Sequence, residues 1–254
     1  MDDPGEVQLL IRAGGMDLFD RLPRRSGRIE YRRAGDGALW GEEHWSIRKG
    51  ADGRRVLSVH CEMKLGDQAV VRDSLLSVDE AWHPCDAHVR IMRDGRLSGS
   101  GWFRFGETDA SCESWTEAEG RISQSMAIRK PMRGFGIHAL MGDGWMAAAF
   151  PFATGAGHVH HWPDSLLHSL HHLGATGPFL HRSTSGLRYA GAESVTVPAG
   201  TFDCHRLQFV GMTNNHPPYD MWISRCGDYL YVKGMVQGYM DSVFALAELE
   251  GSPL

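Results

Sequence analysis

Residues 28–78 read RIEYRRAGDGALWGEEHWSIRKGADGRRVLSVHCEMKLGDQAVVRDSLLSV, and this stretch decides the fold class. Short segments of alternating apolar and polar residues are separated by glycine and aspartate, notably in AGDGA (34–38) and KGADGRR (49–55). An Asp-Gly pair supplies the positive φ that tight hairpin turns need. The turns recur at about 10–12 residues, a spacing that predicts an all-β sandwich or barrel.

The same rhythm continues to residue 128 and returns after residue 186. It predicts further strands at Ala87–Met92, Leu97–Phe105, Cys112–Glu117, Arg121–Ile128, Leu187–Val197, Thr201–Val210, Tyr219–Ser224, Tyr229–Val236 and Ser242–Leu249. We therefore predict an all-β, mainly antiparallel protein, in which a single curved sheet forms an open or closed barrel with a helix-containing crossover.

The chain is predicted to be a single β-barrel-like domain over residues 1–254, since no linker or repeat divides it. Residues 1–26 are interpreted as an N-terminal cap, and residues 129–182, rich in glycine and proline, as a crossover or lid with one helix. In the crossover, Pro163-Asp164-Ser165 precedes leucines spaced at i, i+1, i+4 and i+7, and Gly174 follows them. This pattern predicts a capped helix over 163–174.

Composition narrows the classes of partner. The net charge of −5 disfavours nucleic acid and anionic membranes, which reward a basic surface. The first residues are acidic and lack the apolar core of a secretory signal, so we expect a cytoplasmic protein. Five widely spaced cysteines without a CxxC motif indicate reduced thiols.

The most specific segment is ESVTVPAGTFDCHRLQFVG (193–211), in which Pro198 and Gly200 favour a tight turn. Together with the later strings PPYDMWIS, GDYLYVKG and DSVFALAEL, it resembles a bacterial domain family of unknown function with a VTVPAGTF hairpin. The resemblance covers about the last 70 residues well, by the strand and turn rules. It implies an open barrel of the lipoprotein-carrier or lipocalin type, and it brings no catalytic residues.

Seven of the 14 histidines lie between His158 and His181. His158 and His160 would share a strand face, and His168, His171 and His172 one side of a helix. No HExxH motif accompanies them. We therefore expect no metal; if one binds, its ligands would be His158, His160, His168 and His172.

The C-terminal segment 228–234 carries the strongest candidate chemistry. Strand alternation would place Tyr229, Tyr231 and Lys233 on one face. Facing a cavity, two phenols and an amine would suit proton transfer, because a neighbouring ammonium group can lower the pKa of a phenol. The alternative is an ordinary outer face.

Two more groups are candidates for the same cavity. Arg72, His88 and Arg90 would meet if their strands pair, and arginines on an inner face would hold an anionic substituent; outward cross-strand pairs are the alternative. His138 lies in the crossover, where it would serve as general acid or base with Asp143 orienting it.

No P-loop, GxGxxG, GxSxG or CxxC motif is present, so no organic cofactor is expected. The favoured hypothesis is a cofactor-independent lyase, eliminating enzyme or isomerase acting on a hydrophobic, aromatic small molecule. His205 would be a second candidate base, and Trp222 would contact substrate. A lipocalin-like carrier or sensor and a histidine-ligated metalloenzyme are the alternatives, and the apolar C-terminal strands would also suit a homodimer.

Overall fold

The structure, a computed structural model, describes residues 23–128, 132–211, 216–238 and 241–254. The strands of this described part are β1 (Arg24–Arg33), β2 (Leu39–Lys49), β3 (Arg55–Leu65), β4 (Gln68–Val78), β5 (Pro84–Arg93), β6 (Arg96–Phe105), β7 (Asp109–Thr116), β8 (Gly120–Ala127), β9 (Phe135–Gly136), β10 (Val159–Leu167), β11 (His181–Val197), β12 (Gly200–Val210), β13 (Tyr219–Ser224), β14 (Tyr231–Val236) and β15 (Ser242–Glu250). Helix α1 spans Leu140–Trp145, and 3₁₀ turns lie at Met146–Ala149 and Phe152–Thr154.

All these strands belong to one sheet, ordered β8-β7-β6-β5-β4-β3-β2-β1-β15-β14-β13-β12-β11-β10-β9. The pairing is antiparallel throughout except between β9 and β10, which are parallel. The first and last strands, β1 and β15, pair in the middle of the order. The predicted all-β, mainly antiparallel single sheet is confirmed, and the sheet is open, with β8 and β9 as its edges.

The hairpins form where Asp-Gly pairs predict them. Asp94 and Gly95 both have positive φ, 48° and 76°, as a two-residue turn between β5 and β6 requires. Within the strands, burial alternates with period two: β3 reads buried at Leu57, Val59 and Cys61 and exposed at the residues between them. Each strand therefore contributes one apolar row to the interior.

Two segment predictions change. The predicted helix over 163–174 is wrong, because Val159–Leu167 is strand β10, with Leu166 opposite Arg182 of β11. A short apolar run does not distinguish strand from helix, and here long-range pairing decides. Of the predicted cap at 1–26, residues 1–22 lie outside the described residues and Arg24 begins β1. No helix in the described ranges is long and apolar enough to span a bilayer.

Helix α1 lies buried inside the sheet. A Cβ on Gly142 would meet Leu57 of β3 at 3.8 Å, and one on Gly144 would meet the Tyr229 carbonyl oxygen at 2.6 Å. The missing side chain at Gly144 therefore lets the helix backbone approach the segment that leads into β14. The carboxylate of Glu43 in β2 accepts the Leu140 and Met141 backbone N–H groups at 2.8 and 2.9 Å. These are helix N-terminal donors that have no acceptor within the helix.

Side-chain hydrogen bonds join β8, one edge strand, to the start of β11, which lies near the other edge of the sheet. Gln124 donates to the Leu180 carbonyl and accepts from the Leu180 N–H, at 3.3 and 2.7 Å. Arg182 donates to the Ala127 carbonyl at 2.5 Å. The sheet therefore curves until its two ends lie close together. In the described part of the chain, side-chain hydrogen bonds connect these ends in place of strand pairing.

Candidate functional site

One cavity lies between α1 and the inner face of the sheet, and we call it the central cavity. Its volume is about 110 Å³, several times the roughly 10–15 Å³ that one water needs. Most of the wall area is apolar, although 11 of the 24 residues of the described lining carry polar side chains. The lining residues that matter below are Tyr31, Arg72, Arg133, Phe135, His138, Asp143, Leu166, His172, Phe209, His216, Tyr219, Val236 and Phe244.

A fully buried carboxylate supports this cavity from behind. Besides the two N–H groups of α1, Glu43 accepts the hydroxyl proton of Tyr31 at 2.8 Å. Burial raises the pKa of Glu43, while the three donors and the Arg72 charge oppose that rise. Burial also raises the pKa of Tyr31 well above its usual value, so this phenol stays protonated and remains a donor.

Asp143 brings a second carboxyl to the cavity wall. Its Oδ2 lies 3.4 Å from the Tyr219 hydroxyl, which in turn lies 2.8 Å from the Tyr231 hydroxyl. Burial and the neighbouring charge of Glu43 raise the pKa of Asp143 to about 7. Gly234 makes room for this arrangement, because a Cβ there would lie 1.7 Å from the Tyr231 hydroxyl.

Arg72 and two histidines fix the loops on the opposite wall. Arg72 is 1% exposed and donates to the carbonyls of Leu173 and His138. His138 Nδ1 lies 3.1 Å from His168 Nδ1, and His168 Nε2 lies 3.3 Å from the Gly174 carbonyl. His168 Nδ1 also lies 3.1 Å from the Gly136 carbonyl oxygen. Two arrangements of protons therefore fit neutral rings: His138 donates to His168 Nδ1 while His168 Nε2 donates to Gly174, or His168 Nδ1 carries the proton and faces the Gly136 carbonyl and His138 Nδ1 as acceptors.

Burial explains why both rings are neutral. It lowers the pKa of His138 well below its usual value and that of His168 to about 3. His138 also has φ of 56°, uncommon outside glycine. A Cβ on Gly174 would lie 2.6 Å from the His138 Cβ, so this loop requires glycine. His138 and Asp143 line the same cavity, but no hydrogen bond joins them in the described structure, so the predicted orienting role of Asp143 is not seen.

The structure does not bring Tyr229, Tyr231 and Lys233 together. Strand β14 begins at Tyr231, and Tyr229 has φ of 49° and packs against Trp82 at 5.3 Å between ring centroids. Ile223 pairs with Tyr231 but Trp222 pairs with Lys233, so a bulge inserts one residue between the two. The bulge reverses the alternation: Tyr231 is fully buried, and Lys233 stands over the Trp222 ring at 5.1 Å.

Arg72, His88 and Arg90 do not meet either. The register pairs Asp73 with Arg90 and Leu75 with His88, so Arg72 faces the interior while the other two are exposed. His88 instead lies 3.1 Å from the Ser100 hydroxyl. Only Arg72 of the three lines the cavity.

His205 and Trp222 lie away from the cavity lining. The His205 ring stacks on Phe152 at 3.6 Å and contacts the Tyr189 hydroxyl at 3.1 Å. Trp222 donates to Glu193 at 2.7 Å. Both side chains already have partners that account for their position.

The histidine run separates into three places. His158 and His160 pack near Phe150, with ring centroids 5.9 and 6.2 Å away, His168 is buried behind His138, and His172 lines the cavity. Within the described ranges, no group of three or more His, Cys, Asp or Glu is placed to hold a metal. The four candidate ligands therefore do not form one site.

Sequence reasoning missed Glu43 and Tyr219. Glu43 lies in the string WGEEHW of β2, where strand alternation places it on the same buried face as Trp45. This alternation is visible in the sequence and could have identified Glu43. Tyr219 begins β13 on its buried face, as alternation from Met221 also indicates. His216, in the loop before β13, lines the cavity as well.

The comparisons with known proteins address the fold. No protein-family model matches the chain, and no curated protein matches it. The structure is similar to that of a beta-barrel-like protein of the domain of unknown function DUF1849 from Brucella abortus, with a TM-score of 0.56 and 8% identity over 91% of this chain and 98% of that one. A DUF1089 family protein from Pseudomonas aeruginosa gives a TM-score of 0.45 and 8% identity over 78% and 90%. The likeness to the DUF1849 protein shows a shared β-barrel-like fold.

Proposed function

We propose that this protein is a carrier or sensor that binds a small amphiphilic molecule in the central cavity. The observation that carries the proposal is a partly open, mainly apolar cavity with polar groups in its wall, the usual character of a small-molecule site. Phe135 and Leu166 offer apolar surface, while Asp143 and Tyr219 offer hydrogen bonds. The resemblance of the C-terminal segment to open barrels of the lipoprotein-carrier and lipocalin type supports the same function.

Binding without catalysis is favoured over the lyase or isomerase hypothesis by the position of Lys233. The proposed amine lies on the outer face against Trp222, so it cannot act with Tyr231 on a molecule in the cavity. Arg72 is also engaged, since its terminal nitrogens donate to two backbone carbonyls. These groups stabilise the barrel rather than a transition state.

The test compares two valine-to-phenylalanine variants. Val236→Phe fills the cavity from β14, whereas Val71→Phe adds the same bulk on the half-exposed face of β4. With N-phenyl-1-naphthylamine as a neutral fluorescent probe, we expect Val236→Phe to weaken binding at least tenfold and Val71→Phe to leave it unchanged. Thermal melts confirm that both fold. Equal affinities in the wild type and both variants would place the probe elsewhere and refute the proposal.

Proton transfer is a second candidate function, favoured by one observation. Burial holds the pKa of Asp143 at about 7, near the value at which a general acid or base is most effective. The measurement is deuterium incorporation from D₂O into a panel of aromatic ketones. If Asp143 is the base, Asp143→Asn lowers the rate by ~10²–10⁴-fold, while Asp67→Asn, in the exposed turn between β3 and β4, leaves it unchanged. Exchange no faster than in buffer would exclude this role for the panel.

A further inference from the structure

We propose that the central cavity selects an organic cation, a protonated amine attached to an apolar chain or ring, and seats its ammonium group against Asp143 among aromatic rings. This inference rests on the proposed binding function and names its ligand class. Three observations carry it: the partners of the Asp143 carboxyl, the charges around it, and the rings that line the cavity.

The Asp143 carboxyl has no cationic partner. No ion pair within the described ranges includes it, and its one side-chain contact is the Tyr219 hydroxyl at 3.4 Å, a long hydrogen bond. Glu43 differs, because it accepts three donors at 2.8–2.9 Å, whereas the charge of Arg72 acts on both carboxyls. The fully buried Glu43 and the half-buried Asp143 therefore differ in their hydrogen-bond partners, and a charge shielded from water is costly unless it is paired.

The cations along the described lining are already engaged. Arg72 donates to the Leu173 and His138 carbonyls, and Arg133 donates to the Ala81 carbonyl at 3.2 Å. Burial lowers the pKa of His172 to about 4 and lowers that of His216, so both rings are neutral near pH 7. Arg72 acts on Asp143 only through its charge, and no ion pair in the described ranges joins the two. An ammonium group placed at Asp143 would therefore add a direct ion pair, whereas an anion there would be repelled by the carboxylate.

Aromatic rings form the wall beside this carboxyl. The rings of Phe209 and Tyr219 are stacked at 5.2 Å and 3°. Phe244 meets Tyr219 edge-on at 6.5 Å and Tyr31 at 4.9 Å, and all four line the cavity. Ring faces attract ammonium groups, and the attraction is stronger when the site is shielded from water. The same rings and the leucines of β10 would cover the apolar part of the ligand.

Binding of a cation should release a proton from Asp143. Its pKa is about 7, so roughly half a proton leaves per ligand at pH 7 when an ammonium group stabilises the carboxylate. The titratable or charged groups that surround Asp143 come from β1, β2, β4, β13, β14 and the adjoining loops, and they are Tyr31, Glu43, Arg72, Tyr219, Tyr231, His138, His172 and His216. Of these, the tyrosines, His138 and His172 do not change charge between pH 6 and 8.

The experiment is calorimetric titration with three probes that share one alkyl chain: octylammonium, 1-octanol and octanoate. We expect octylammonium to bind at least tenfold more tightly than either of the others, with proton release seen by repeating the titration in buffers of different ionisation enthalpy. Asp143→Asn should remove both the preference and the proton release while 1-octanol binding persists. Asp67→Asn, the exposed control, should behave as wild type.

Each other outcome is decisive. Octanol or octanoate binding as tightly as octylammonium overturns the cation inference and leaves the binding function standing. A preference for octylammonium that survives in Asp143→Asn overturns the assignment to Asp143. If none of the probes binds the wild type, the proposed binding function fails together with the inference.

Discussion

Replacing Asp143 with asparagine should change how the stability of the protein depends on pH. The pKa of this carboxyl is 3.8 for an ordinary aspartate and about 7 in the folded protein. Because the pKa is higher in the folded state, the unfolded state loses its proton first as the pH rises. The contribution of Asp143 to the free energy of unfolding is therefore complete below pH 3.8 and disappears as the pH rises through 7. Between pH 5 and pH 8 the folded wild type should therefore lose roughly 2.5 kcal/mol that Asp143→Asn does not lose.

The assay is urea unfolding of both proteins at pH 5, 6, 7 and 8, followed by tryptophan fluorescence. The quantity of interest is the free energy of unfolding of the wild type minus that of Asp143→Asn. This difference cancels the buried histidines, which act oppositely because their lowered pKa values make the fold less stable as the pH falls. A difference that stays constant within about 0.5 kcal/mol would show that Asp143 is ionised in the fold and would refute the reasoning.

The remaining predictions concern the framework. Glu43→Ala leaves two helix N–H groups and a buried phenol without an acceptor, so urea unfolding should show a loss of about 3–6 kcal/mol; a loss below ~1 kcal/mol would contradict helix anchoring. Gly144→Ala would bring Cβ to 2.6 Å from a backbone oxygen and should lower the free energy of unfolding by about 1–3 kcal/mol. Gly142→Ala should lower it less, because its Cβ would meet side-chain atoms at 3.1 Å. Equal unfolding midpoints of the two variants would argue against the close approach at Gly144. Gln124→Ala should speed amide exchange at Leu180 by about fivefold or more, and unchanged exchange would mean that the bridge between the sheet ends is not needed.

The features that sequence predicts well are local ones. Hairpin turns depend on two residues, and the Asp94-Gly95 pair has the backbone angles that its composition requires. Strand burial with period two follows directly from alternation, as in β3. The pairing of β1 with β15 is not local, because it joins residues more than 200 positions apart, and no pattern within either strand specifies that partner. The strand at Val159–Leu167 was missed for the same reason: its leucines fit a helix by spacing, and only the pairing with β11 makes them a strand.

The site depends on register more strictly than the fold does. Alternation holds along β4, where Arg72 faces the interior, but the sequence left its inward and outward orientations open. The rule fails between Tyr231 and Lys233, because one inserted residue at Val232 reverses every later side chain on β14. The bulge costs the fold little, since Lys233 gains a place over Trp222 and the hydroxyl of Tyr231 gains Tyr219. For chemistry the consequence is large, because the amine lies against Trp222 and does not line the cavity. The polar contact of the Asp143 carboxyl in the described structure is the Tyr219 hydroxyl, and a ligand cation is the complement that we propose for it.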